Sequence, residues 1–173
     1  MKRGAGSAPR SFEVFYAAHH ASVARAVALA FGDLDVARQA TDEAFVRALE
    51  AWPRVSGMGS PAGWTYKVAL NLARRMARRD SRRREVEAAA RPVDTFDQHP
   101  DWLAFQQHVA PLPERQRVAV VLRFVADMTE AEIAEAMGVR RGTVSATLRA
   151  ALRSLEPSLE PPAADPHLGA RHV

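Results

Sequence analysis

Positive charge is the chemistry this sequence concentrates, and it does so twice. One cluster is Lys67, Arg74, Arg75, Arg78, Arg79, Arg82, Arg83 and Arg84, with Asp80 the one acid inside it. The other is Arg140, Arg141 and Arg149. Guanidinium groups stay charged and present a planar fork of donors, suited to phosphates and to the acceptor edges of bases. Bond-breaking chemistry would need other residues, and nothing in the chain points to them. The histidines are His19, His20, His99, His108, His167 and His172, and none has metal-ligand spacing. His19 and His20 read as a half-exposed pair on a helix. There is no glycine-rich phosphate loop with its lysine and no nucleophile elbow. Cysteine is absent, which removes disulfides and thiolate metal sites. The expectation is a protein that is no enzyme, with no catalytic residue, no metal and no cofactor.

The rest of the sequence must supply the elements that hold these cations. Hydrophobic residues make up 47% of the 173, enough for packed cores, but alanine supplies much of that share and aromatics only 7%. Small side chains of high helix propensity favour packed helices over sheets. The net charge of +4 favours a polyanionic partner. No apolar run approaches the ~18 residues of a membrane span, and no secretory segment follows Met1. A cytoplasmic protein without a membrane partner is expected.

Residues 1–10 are small and polar, and are expected to be disordered. Phe12, Phe15, Tyr16, Val23, Val27, Ala30 and Phe31 then recur at helical steps, and Gly32 and Asp33 can end that helix and cap the next. The second helix carries Leu34, Ala37, Ala40, Thr41, Ala44, Phe45, Ala48, Leu49 and Trp52 on one stripe, with Pro53 as its stop. A glycine-containing loop follows, and Ser60–Pro61 reads as N-cap and first residue of a third helix. That helix has an apolar stripe of Trp64, Val68, Leu72 and Met76 beside a polar stripe of Lys67, Asn71, Arg74 and Arg78. Residues 85–101 turn acidic, lose periodicity and read as a linker. Helices resume with Trp102, Leu103, Phe105 and Val109, then with Val118, Val121, Leu122 and Val125 after Pro113. Residues 157–173 hold four prolines without pattern and read as a disordered tail.

Between these lies "MTEAEIAEAMGVRRGTVSATLRAALRSL", Met128–Leu155. Thr129 and Glu132 match a capping box, and Gly138 is placed to end the short helix in the left-handed conformation. Val144, Leu148, Ala151, Leu152 and Leu155 line one face of the next. A capped short helix, a glycine turn and a second amphipathic helix predict a helix-turn-helix, whose second helix enters the major groove. Arg140 and Arg141 stand at its entrance, with Thr143, Ser145 and Arg149 on or near the outward face. The upstream basic stripe is suited to tracking a nucleic-acid backbone, its preceding loop to receiving an unstacked base. A solvated charged face is the plainer reading of either cluster.

Both ends together resemble the extracytoplasmic-function class of RNA polymerase sigma factors, the small class with only regions two and four. "FYAAHH" resembles the start of region two, and "GDLDVARQATDEAFVRALEAW" its core-polymerase-binding helix. "SPAGWTYKVALNLARRMARR" resembles the helix that melts and reads the minus-ten element. "LPERQRVAVVLRFVADMTEAEIAEAMGVRRGTVSATLRAAL" resembles region four, the reader of the minus-thirty-five element. The resemblance implies an all-α fold of two small helical domains, region two over 11–84 and region four over 102–156. It implies docking of region two on the clamp coiled coil of the polymerase beta-prime subunit, docking of region four on the beta flap, and promoter DNA as ligand. It also leaves room for an anti-sigma protein.

Residue by residue, Asp35, Arg38, Gln39, Asp42, Glu43 and Arg47 match the core-binding surface. Lys67, Asn71, Arg74, Arg75 and Arg78 match the melting helix. Val55, Ser56, Gly57, Met58, Gly59 and Ser60 match the loop that pockets a flipped minus-ten base, and Trp64 reads as core. Arg140, Arg141, Thr143, Ser145 and Arg149 match the minus-thirty-five reader. Arg38 and Gln39 stand where the family commonly carries acids, and Ser145 and Ala150 stand where it commonly carries basic residues. That implies an unusual minus-thirty-five element or reliance on the three arginines. Two other readings stay open: a helix-turn-helix regulator with an N-terminal sensing half, and a helical adaptor whose basic helix binds an acidic protein or membrane surface.

Overall fold

The structure, a computed structural model, describes residues 11–84 and 100–159. The expectations for residues 1–10, 85–99 and 160–173 fall outside them. Among the described residues every element is a helix, as the composition predicts. They are α1 (Phe12–Phe31), α2 (Leu34–Glu50), α3 (Trp52–Val55), α4 (Pro61–Arg84), α5 (Pro100–Val109), α6 (Glu114–Phe124), α7 (Glu130–Met137) and α8 (Arg141–Leu159).

The helix ends fall where the capping chemistry puts them. Ser11 and Asp33 accept from the amides of Val14 and Val36. Gly32 and Gly138 adopt φ 69° and 66°, a conformation that costs glycine nothing and a side chain about 1 kcal/mol or more. Prolines are where the reading needs correction. Pro53 does not terminate α2; it sits in the first turn of α3, where its missing N–H is no loss. Trp52 and Val55 are therefore the ends of a short helix. Pro100 likewise lies at the start of α5, inside the expected linker, and α8 runs three residues into the expected tail.

In the N-terminal half, α1, α2 and α4 pack mutually, with α2 against α4 the most extensive pair. The seams are lined by Ala26, Ala30, Ala37, Ala40, Ala44, Ala69 and Ala73, which let the helix axes approach closely. At one end Phe12, Phe15, Phe45 and Trp52 form an aromatic plug. Phe15 and Trp52 have ring centroids 5.0 Å apart, and Phe15 and Phe45 are at 5.7 Å. Helix α1 has the length and mean hydropathy, 1.2 over 18 residues, of a membrane-crossing segment. It is instead a core helix, with eight of its residues buried against neighbours.

The C-terminal half packs α6, α7 and α8 around Val118, Leu122, Ile133, Val144 and Leu148. The halves do not stand apart. Helix α6 lies against α1 and α7 against α4, and the buried apolar residues of both halves form one cluster. Helix α4 is covered by α1 and α7 as well as by α2, and so buries more than its predicted stripe. Thr65, Tyr66, Ala69, Leu70, Leu72 and Ala73 are all buried, while Trp64, read as core, is only half-buried. Leu49 and Leu152, expected inward, are 53% and 43% exposed. Each lies at the edge of its stripe, where one helical step of about 100° turns a side chain outward.

Phe45 touches Phe12, Phe15, Tyr16 and His20 and is fully buried. Phe45→Ala should cost about 3–5 kcal/mol in urea unfolding followed by circular dichroism. A loss below about 1 kcal/mol would mean that the plug does not hold α1 to α2.

Candidate nucleic-acid interface

Three surfaces carry the predicted residues, and the structure keeps them on separate elements. On α2 the buried face is Ala37, Ala40, Thr41, Ala44, Phe45 and Ala48. Asp35, Arg38, Gln39, Asp42 and Arg47 are exposed on the remaining arc, and Glu43 is half-buried. Two of these acids have partners on the surface. Arg47 Nε donates to Glu43 Oε1 at 2.8 Å, and Asp42 Oδ1 meets His20 Nε2 at 2.8 Å. Val46 and Leu49 lie on the same side, 49% and 53% exposed. Sequence reasoning missed His20 and the two apolar residues, because His20 is 22 positions from Asp42 and exposed aliphatics break the expected stripe.

On α4 the polar stripe faces outward. Lys67, Asn71, Arg75 and Arg78 are exposed, and Arg74 is half-buried. Arg74 Nη1 donates to Asn71 Oδ1 at 3.3 Å, so the two side chains form one unit. The loop before the helix is shorter than expected. Val55 is the last residue of α3 and fully buried, so it cannot line a pocket for a base. Gly57 and Gly59 are exposed, and Ser56 and Met58 are half-buried. Ser60 Oγ accepts from the Gly63 amide at 3.0 Å, which makes it the N-cap of α4. A Cβ at Gly63 would stand 2.8 Å from that hydroxyl, so the cap and the glycine go together.

On the helix-turn-helix, Thr129 Oγ1 accepts from the Glu132 amide at 3.3 Å, and Glu132 Oε2 accepts from the Thr129 amide at 2.9 Å. The predicted capping box is complete. Arg140, Arg141, Thr143 and Arg149 are exposed, and Ser145 is half-buried. The hydroxyl of Ser145 donates to Glu130 Oε2 at 2.6 Å. Arg141 Nε lies 3.5 Å from the same carboxylate. The Ser145 hydrogen bond, with the positive charges of Arg141 and Arg123 behind it, holds the Glu130 carboxyl below the usual carboxylate range. Glu130 is thus an acid set among the residues of the predicted groove-facing surface. Its fifteen-residue separation from Ser145 hid it from a one-helix reading.

No group of three or more histidine, aspartate or glutamate side chains among the described residues is arranged to hold a metal. What the surfaces offer is a stripe of cations with an adjoining open loop, and a second cationic helix entrance.

Comparison with known proteins gives these surfaces a family. The family model described as Sigma-70 region 2 matches residues 15–83, and Sigma-70, region 4 matches residues 103–155. The chain is 34% identical over 122 residues to an uncharacterized protein of Rhizobium meliloti (strain 1021). That match covers 61% of this chain but 29% of the relative, so the chain spans less than a third of its length. It is 29% identical over 141 residues to the ECF RNA polymerase sigma factor SigC of Mycobacterium tuberculosis, covering 78% of this chain and 76% of that one. Among solved structures, the sigma factor RpoE in complex with the anti-sigma factor NepR from Bartonella quintana superposes with a TM-score of 0.72. At 14% identity, over 84% of this chain and 94% of that one, this likeness concerns the fold. Region 2 occupies the half that a regulator would use for sensing. The chain belongs to the sigma-70 family, in its extracytoplasmic-function class, with region 2 built on α1–α4 and region 4 on α5–α8.

Proposed function

We propose that this chain binds core RNA polymerase and directs promoter recognition and melting. The observation that carries the reading is the ordered pair of regions, each with its own cationic surface. Region 2 carries the α4 stripe and region 4 carries the α8 entrance. Two surfaces suit two different substrates. Arg140, Arg141, Thr143 and Arg149 meet duplex, where helix amides and arginines hold phosphate and an arginine one turn in reaches guanine. Ser145 reaches it only by giving up Glu130. Lys67, Asn71, Arg74, Arg75 and Arg78 hold the backbone of an opened strand, and the 56–60 loop receives a base from it. Unpairing and unstacking that base costs a few kcal/mol, so the contacts that compensate must exist only in the opened state. The outward arc of α2, with Asp35, Arg38, Gln39, Asp42, Glu43 and Arg47, docks on the beta-prime clamp, and region 4 docks on the beta flap. A protein working with polymerase acts in the cytoplasm. By likeness to the RpoE–NepR complex, an anti-sigma protein is proposed as a further partner.

Two experiments address this reading. Asp42→Lys with Glu43→Lys should abolish most retention on immobilised core polymerase. The fold should be nearly unaffected, because exposed ion pairs contribute only about 0–1 kcal/mol. Full retention by a folded double variant would remove α2 from the docking surface.

The second separates the two arginines of α8. Arg149→Ala should relax base preference at one position of the minus-thirty-five element. Arg141→Ala should weaken binding to all sequences and shallow the salt dependence by about one unit. Indistinguishable footprints from the two variants would refute these roles.

A further inference from the structure

The α2 face proposed to dock on polymerase is not built by α2 alone. Asp42 stands on its outward arc, one turn before Val46 and two before Leu49, so the three form a stripe of one charge and two exposed apolar side chains. The Asp42 side chain is short and 66% accessible, and an aspartate so placed would be free to change rotamer. Here it is tethered. Its Oδ1 lies 2.8 Å from Nε2 of His20, on α1 and 22 positions away. A carboxylate oxygen accepts, so the imidazole nitrogen is the donor.

His20 is itself held in place. The Tyr16 ring, one turn earlier on α1, stacks on it with centroids 4.6 Å apart and planes at 30°. The Phe45 ring of α2 lies 5.2 Å away at 52°. Phe45 is buried in the aromatic plug, and Tyr16 meets it edge-on at 5.2 Å. The imidazole is thus fastened to the plug by its ring, is only 28% accessible, and presents one nitrogen to Asp42. The neighbouring Arg47–Glu43 pair is of a different kind. Its partners are four residues apart on the same helix, 45% and 43% accessible, so it fixes nothing across helices.

An exposed pair such as His20–Asp42 contributes little to stability. What it contributes is direction, because a side chain ordered before docking does not have to be ordered by it. We propose that His20 is a positioning residue of the core-docking surface. It fixes the Asp42 carboxylate beside Val46 and Leu49, so that a hydrogen-bond donor on the polymerase clamp meets an acceptor already oriented. The bond engages one of the two carboxylate oxygens and leaves the other for that donor. The docking surface therefore spans α1 and α2, and its geometry is inherited from the aromatic plug. The inference rests on the proposed docking of α2 for the role of Asp42.

The test measures the affinity of the full chain for immobilised core polymerase. His20→Phe keeps an aromatic ring in the cluster and removes the donor. It should weaken affinity about tenfold, the effect of losing one hydrogen bond to a charged group. His20→Gln brings an amide donor close to the place of Nε2 and should recover most of that loss. In an Asp42→Ala background, His20→Phe should change affinity by less than about twofold, because the group it would position is gone. Urea unfolding of each variant should match that of the unaltered chain. Should His20→Phe fail to fold, His20→Asn, too short to reach Asp42, takes its place in the comparison with His20→Gln. Unchanged affinity in His20→Phe, with weakened affinity in Asp42→Ala, would overturn the positioning role and leave the docking reading standing. An equal loss from His20→Phe with and without Asp42 would also overturn it, as would no recovery in His20→Gln. No loss in Asp42→Ala would take Asp42 out of the docking surface, and the proposal with it.

Discussion

The arrangement hangs on the close seam between α2 and α4. Both helices bury small residues, Ala37, Ala40, Thr41, Ala44 and Ala48 on α2 and Thr65, Ala69 and Ala73 on α4. Small side chains let two long helices lie near one another, and that closeness is rigid because the interior cannot deform to absorb a larger group. The seam fixes how each helix is rotated about its axis. Once Ala37, Ala40, Ala44 and Ala48 are turned inward, Asp42, Val46 and Leu49 must point out. Once Ala69 and Ala73 are turned inward, Lys67, Asn71 and Arg75 must point out. The two exposed faces of region 2 are consequences of one packing choice.

The same economy shapes the cations. A dense basic helix needs its arginines either in water or against acids. Part of the α4 stripe is in water, and one member, Arg74, is held by Glu114 of region 4. On α8, Glu130 holds Ser145 and lies beside Arg141. In both regions an acid from the neighbouring helix therefore sits against a residue proposed to meet DNA. Such pairs at a partly exposed surface contribute little to stability. They bear instead on what a phosphate must displace.

Much of this was legible in the residues, and the reasons are local. Gly32, Asp33, Ser60, Thr129, Glu132 and Gly138 act within four residues of chain, so their roles can be read from spacing alone. The periodicity of α2 and α8 likewise placed most of their buried faces. What failed was nonlocal. Trp64 was expected in the core and Tyr66 was not, because α4 is covered on more than one side: Tyr66 turns toward α1, where its hydroxyl meets Ser22 Oγ at 2.8 Å, 44 positions away. Val55 was placed in the base-receiving loop because Pro53 looked like a stop; Pro53 instead lies in the first turn of a short helix whose last residue, Val55, is buried. Arg117 and Ala30 meet across 87 positions, and no periodicity foretells that. The candidate sites followed the same division. Their helices and outward faces were readable, and their partners His20, Glu114 and Glu130 were not.

The central claim is that α4 stabilises a strand only once it is open. The direct measurement compares Asn71→Ala with the unaltered chain, each with core polymerase, on two templates. One is a duplex promoter, and the other is the same promoter opened by mismatches across the minus-ten element. If Asn71 acts on the opened strand, its loss should lower transcription from duplex by about tenfold, roughly 1.4 kcal/mol of barrier. It should lower transcription from the opened template much less, because the cost of unpairing has been removed. Equal losses on the two templates would show that α4 only anchors DNA, and would contradict the account.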